Sequence, residues 1–220
     1  MRPIGSISVL AIVGGLTLAA SASASTLALS GGFGDQDVVM TLADRNDVAR
    51  AFKVSFGHIA IDVGAGNDTI SDAPQSGANV DGGLGDDTIT VHPNFGGAVD
   101  VHGGLGRDSI TAVSASGTVD GGLGDDAITA DQGTNMGLID GGLGDDRIST
   151  GPLAVVAQLT GGFGDDRIVS QNGTSTISGG FGRDFIDGHD EGDTIDCGSG
   201  NDRYVQYAGD TVSNCEVSQA

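Results

Sequence analysis

Asp68, Asp87, Asp108, Asp126, Asp146, Asp166, Asp184 and Asp202 recur at intervals of 18 to 21 residues. Each is the sixth residue of a glycine-rich octet. Gly82-Gly83-Leu84-Gly85-Asp86-Asp87-Thr88-Ile89 sets the pattern. It returns from Gly103, Gly121, Gly141, Gly161 and Gly179, with looser copies from Val63 and Cys197. One such turn would be ordinary. Eight in frame point to coordination chemistry. Ca²⁺ takes roughly six to eight hard oxygen ligands. Glycine lets the backbone aim carbonyls inward, and the sixth-position aspartate supplies an anionic oxygen. Several Ca²⁺ ions are therefore the expected cofactor, with the eight aspartates as metal ligands.

Something must hold these loops in line, and two aliphatic columns do so. Two residues before each octet stand Ile61, Val80, Val101, Val119, Ile139, Leu159, Ile177 and Ile195. At the eighth position stand Ile70, Ile89, Ile110, Ile128, Ile148, Ile168, Ile186 and Tyr204. Each sits in a short x-apolar-x stretch, flanked by residues such as Thr88 and Thr90, the alternation of a strand with one buried face. Two short strands per unit cannot bury a core alone and must stack on the next unit. The expected fold is all-β: a right-handed parallel β-roll, a β-solenoid with two short strands per coil of about 18 residues. All eight loops then share one edge, with seven gaps between them. The extra residues of longer coils must fall opposite, near 91–98, 130–137 and 150–157. On that opposite edge only Gly188-His189-Asp190-Glu191-Gly192-Asp193 is an acidic loop.

The net charge of −21 follows from 30 acidic against nine basic residues. Such a surface repels phosphate, so nucleic acid and anionic membrane surfaces are excluded as partners. Stacked carboxylates repel unless cations lie between them. The loops therefore also make folding metal-dependent.

Met1 to Ala24 has a basic start, an uncharged apolar run and small residues at its end, and reads as a signal peptide. No second apolar span follows. Residues 25–60 depart from the repeat and are expected to form a small N-terminal β cap; 61–205 is the roll, and 206–220 a C-terminal cap. Cys197 and Cys215 are 18 residues apart, about one coil, so a disulfide is expected to staple the last coil. Asp210-Thr211-Val212 is shifted by one residue, so the pair could sit diagonally.

The octets resemble the calcium-binding β-roll of repeats-in-toxin (haemolysin-type) proteins, over about residues 61–205. The family includes C-terminal domains of serralysin-type proteases and modules of alginate epimerases. The resemblance implies Ca²⁺ held by the eight aspartates and their loop backbones. Family rolls commonly carry sites on both edges, whereas this chain is one-sided. Arg107 and Arg183 replace the usual fifth residue, and Val63 and Cys197 the first glycine. The ending around Cys197 and Cys215 looks like secreted actinobacterial-type members.

No His-Glu-x-x-His or nucleophile-elbow pattern occurs, and His58, His92, His102 and His189 are scattered. An enzyme is not expected. The leading expectation is a secreted, extracellular calcium-binding protein with a structural or interaction role and an unnamed protein or glycan partner. The alternatives are an ice-binding or surface-adhesion solenoid using Thr88, Thr90, Ser109, Thr111 and Thr129, or an accessory module of a secreted hydrolase.

Overall fold

The structure is a computed structural model of the full chain. It describes residues 9–13, 16–20, 26–30, 38–41, 48–52, 59–71, 78–92, 98–113, 116–131, 135–152, 154–156, 158–171, 173–189 and 192–219. The chain alternates between two parallel sheets of eleven strands each. The first sheet runs from Val38–Thr41 to Thr211–Ser213, and the second from Thr26–Ser30 to Val217–Gln219. Successive strands of a sheet belong to successive coils. The result is a β-solenoid, with no helix among the described residues.

Both aliphatic columns hold their register through the roll. In the first sheet Ile61, Val80, Val101, Val119, Ile139, Leu159, Ile177 and Ile195 lie opposite one another in turn. In the second, Ile70 to Ile186 stack likewise, and Tyr204 ends the column. All but Tyr204 are buried. A slip of one residue would turn either column out to solvent, so the apolar pattern itself fixes the register. That register places all eight octets on one edge.

Where a coil is longer, the extra residue is absorbed away from that edge. Gly117 lies opposite Met136 and Thr118 opposite Leu138, so Gly137 is the extra residue, inside the 130–137 stretch where an insertion is expected. Near Thr150, Ser170 and Ser175 the core turns polar, and the buried hydroxyls satisfy one another: Thr150 Oγ1 donates to Ser170 Oγ at 3.5 Å, and Ser170 and Ser175 lie 3.3 Å apart.

At both ends the strands prolong the two sheets. Thr26–Ser30 pairs in parallel with Val48–Phe52, which pairs with Thr69–Ser71. Val38–Thr41 pairs with Ile59–Asp62. Within 25–60 the described strands therefore continue both sheets. At the other end Thr211–Ser213 and Val217–Gln219 do the same. Val9–Val13 and Leu16–Ala20, inside the expected leader, pair antiparallel as a separate two-stranded sheet.

Candidate metal-binding edge

The sixth-position aspartates turn inward, and the structure brings all eight into one row; each is at most 2% exposed. From Asp87 to Asp202, one oxygen of each ties two coils together. Asp87 Oδ1 accepts the Asp68 amide at 2.7 Å, and Asp108 Oδ1 accepts the Asp87 amide at 2.8 Å. The same bond, at 2.7 to 2.9 Å, recurs from Asp126, Asp146, Asp166, Asp184 and Asp202 to the coil before. Each carboxylate thus holds the amide of its counterpart one coil earlier.

The other oxygen has no such use. Oδ2 of Asp87, Asp108, Asp126, Asp146, Asp166, Asp184 and Asp202 is buried and accepts no hydrogen bond. Such atoms are costly unless a cation or a proton meets them. Burial pushes Asp87, Asp126 and Asp166 from 3.8 to about 7, Asp146 to about 8 and Asp184 to about 6; neighbouring aspartates push the same way, against the lowering effect of the amide bonds. Asp108 and Asp202 are raised by the same leading cause, burial.

The first glycine of the octet keeps this space open. A Cβ built on Gly82 would stand 2.6 Å from Asp87 Oδ2 and against the carbonyl oxygen of Gly103 in the next coil. On Gly141 it would meet Asp146 Oδ2 and the Gly161 carbonyl, both at 2.5 Å. An inward carboxylate oxygen and a carbonyl from the following coil therefore converge in each gap. The glycine at the fourth position is needed for a different reason. Gly144 has a φ of +136°, which side chains resist, and a Cβ there would run into the Gly124 carbonyl.

These donors fit a hard divalent cation. Every convergent atom is oxygen, and the site lacks the imidazole and thiolate that softer metals prefer. Among the described residues no three His, Cys, Asp or Glu side chains cluster. Each gap offers carboxylate and backbone oxygen instead.

Three features escaped the sequence. The fifth position is a second ladder of opposite direction: Asp86 Oδ1 accepts the Arg107 amide at 2.9 Å, Asp145 Oδ1 that of Asp165 at 2.8 Å, and Asp165 Oδ1 that of Arg183 at 2.8 Å. Asn67 and Asp125 act in the same way. Arg107 cannot accept and so breaks this ladder, whereas Arg183 donates from its guanidinium to Asp165 at 2.8 Å. The third position is an exposed apolar ridge: Leu84, Leu105, Leu123, Leu143, Phe163 and Phe181 follow one another in register. The rings of Phe163 and Phe181 stack at 4.8 Å. The third position of the octets is apolar in the sequence, but only the stacking of coils lines these side chains into a ridge. Third, Glu216 reaches the row, as taken up below.

On the opposite edge Asp193 is fully buried and accepts the Ser175 amide at 2.7 Å. Asp210, one coil on, accepts the amides of Gly192, Asp193 and Tyr207. The acidic loop singled out there thus copies the bonding of the main row over two coils. Cys197 and Cys215 form a disulfide with Cα atoms 5.1 Å apart. The strand before Cys215 is one residue short, since Thr211 lies opposite Thr194. Asn214, in the left-handed region at φ 51°, precedes the bridge. His92, His102 and His189 converge on no common site, and His58 lies outside the described residues.

No protein-family model matches the chain, and no curated protein matches it. Among solved structures it is similar to the X-ray crystal structure of a hyperactive, Ca²⁺-dependent, beta-helical antifreeze protein from an Antarctic bacterium. The identity is 22% and the TM-score 0.54; the match covers 80% of this chain and 62% of that one. The likeness shows the fold: a parallel β-solenoid. No helix among the described residues is long and apolar enough to cross a membrane.

Proposed function

We propose that the chain is a secreted calcium-binding β-roll of the repeats-in-toxin type, with a structural or interaction role and no enzymatic one. The observation that carries the reading is the row of buried, unpartnered Oδ2 atoms from Asp87 to Asp202. Bound Ca²⁺ would supply the positive charge that lets these carboxylates ionise inside the fold. The protein's part is to present them. The glycines clear the space, the amide bonds to Oδ1 fix each carboxylate, and the aliphatic columns hold successive loops in register. The calcium dependence in the description of the similar solenoid supports this assignment. The leader-like start and the disulfide support export to an oxidising, calcium-rich setting.

Calcium titrated into the chelator-treated chain is expected to raise a β signal in far-UV circular dichroism cooperatively, with midpoint near ~10⁻⁴–10⁻³ M, the range of extracellular modules. Isothermal calorimetry should count several ions. A full β spectrum in chelator, unchanged by calcium, would defeat the reading.

A second reading, ice binding, has one observation in its favour. Ser71, Thr90, Thr111, Thr129 and Ser149 form an unbroken file across successive strands, with Thr129 and Ser149 hydroxyls 3.3 Å apart. The adjacent file starts Thr69, Thr88, Ser109 but passes to Arg147, Arg167 and Phe185. Arg167 lies over the Phe185 ring at 4.3 Å, so half the face is bulky and cationic. The expected outcome is no thermal hysteresis from the calcium-loaded protein. A clear hysteresis gap would make ice binding the better reading.

A further inference from the structure

The row of inward carboxylates does not end with the last octet. Val217 lies opposite Arg203, so Glu216 occupies in the final coil the register that Asp202 holds in the coil before. Only Glu216 separates Cys215 from Val217, whereas five residues separate Cys197 from Arg203. The glycine loop has been deleted here, and the side chain that replaces the aspartate is one methylene longer. That length restores the reach. Glu216 Oε2 accepts the Asp202 amide at 2.8 Å, the bond that each sixth-position Oδ1 from Asp87 to Asp202 makes to the coil before.

Asp202 is fully buried, and its Oδ2 accepts no hydrogen bond. It stays turned inward although Cys197 stands where six of the other octets have glycine. Glu216, itself exposed, lies close enough for its negative charge to act on Asp202, and among the described residues no Lys, Arg or His pairs with either. Two like charges held together, one without solvent, call for a cation between them. The strand Val217–Gln219, paired with Arg203–Val205, ties the residue after Glu216 to the coil before. The Cys197–Cys215 disulfide immediately precedes Glu216 and fixes it over Asp202.

We infer that Glu216 is a ninth rung, closing with Asp202 a terminal divalent-cation site that the Cys197–Cys215 bridge positions. The inference rests on the calcium reading above and extends it beyond the eight octets. It also gives the disulfide a function: it takes over in the last coil what glycine-loop geometry does elsewhere.

Tyr204 and Tyr207 are the chain's only tyrosines, and it has no tryptophan. Terbium emission excited through tyrosine therefore reports ions at this end of the roll. The full chain is compared with Glu216→Gln, Glu216→Asp and the Cys197→Ser/Cys215→Ser pair. Glu216→Gln is expected to bind one calcium fewer by calorimetry and to lose tyrosine-sensitised terbium emission several-fold, while calcium still induces its β spectrum. Glu216→Asp, with charge kept and reach shortened, should lose emission too. The serine pair should need several-fold more terbium. If Glu216→Gln does not fold, the Glu216→Asp and serine-pair emission decide. Variants that match the unaltered chain in ion count and emission would overturn the terminal site alone. An unaltered chain that takes up neither calcium nor terbium would instead overturn the calcium reading.

Discussion

Acidifying the calcium-stripped chain from about pH 8 to about pH 5 is expected to order it, the reverse of ordinary acid denaturation. The cause is the sign of the shifts along the metal edge. Burial raises Asp87, Asp126 and Asp166 to about 7 and Asp146 to about 8 in the fold, against 3.8 when the chain is open. The folded state therefore binds protons more tightly than the unfolded state, and protons stabilise it. The benefit is complete below the unfolded value and is lost as pH rises through the folded ones, across about pH 4 to 8. Keeping one carboxyl ionised when it has moved from 3.8 to about 7 costs roughly 4 kcal/mol. A domain's whole stability is about 5–15 kcal/mol, so a few such groups decide the outcome even after generous discounting. Calcium reverses the dependence, because it needs the carboxylates deprotonated. Circular dichroism of the stripped chain during a downward pH titration checks this. A coil-like spectrum at every pH, or a full β spectrum already at pH 8, would contradict it.

The same charges explain what the sequence could and could not disclose. Register was legible because two aliphatic columns repeat in phase with the octets, and the structure keeps both from Ile61 to Ile195 and from Ile70 to Ile186. The inward row was legible because a fixed sixth position implies a fixed place on the edge. Which oxygen does what was not, since it depends on how one coil sits above the next. The division between an amide-bound Oδ1 and an unpartnered Oδ2 appears only in three dimensions. The fifth-position ladder was hidden for the same reason, since its bonds also run from one coil to the next. At the ends, periodicity failed because coil length changed. Thr26 lies opposite Val48 and Val48 opposite Thr69, yet no aspartate octet marks those coils. Glu216 was hidden by its deleted loop, 14 residues after Asp202 instead of 18 or more.

Asp146→Asn in the middle of the row is expected to have opposite effects with and without calcium. Without calcium, near pH 8, the substitution removes a carboxyl that burial has pushed to about 8, so the fold no longer bears the cost of titrating it. The asparagine retains the geometry. Its Oδ1 can still accept the Asp126 amide at 2.7 Å, and its amide nitrogen takes the place of Oδ2, where the Gly161 carbonyl converges and can accept. A well-partnered amide costs little to bury, whereas the carboxylate it replaces stands to cost roughly 5 kcal/mol. The stripped variant should therefore be more ordered than the stripped parent, and less sensitive to pH. With calcium the balance inverts. The neutral side chain leaves its gap without an anionic oxygen, so the variant should bind fewer ions and need more calcium to fold. Asp145→Asn is the control: Asp145 is exposed, its Oδ1 accepts the Asp165 amide, and an asparagine Oδ1 can do the same. Calcium titrations by circular dichroism and calorimetry on the three proteins separate the cases. If Asp146→Asn destabilises the chain equally in calcium and in chelator, the inward carboxylate is holding the backbone rather than a cation. A crossing of the two effects requires that its charge be meant for an ion.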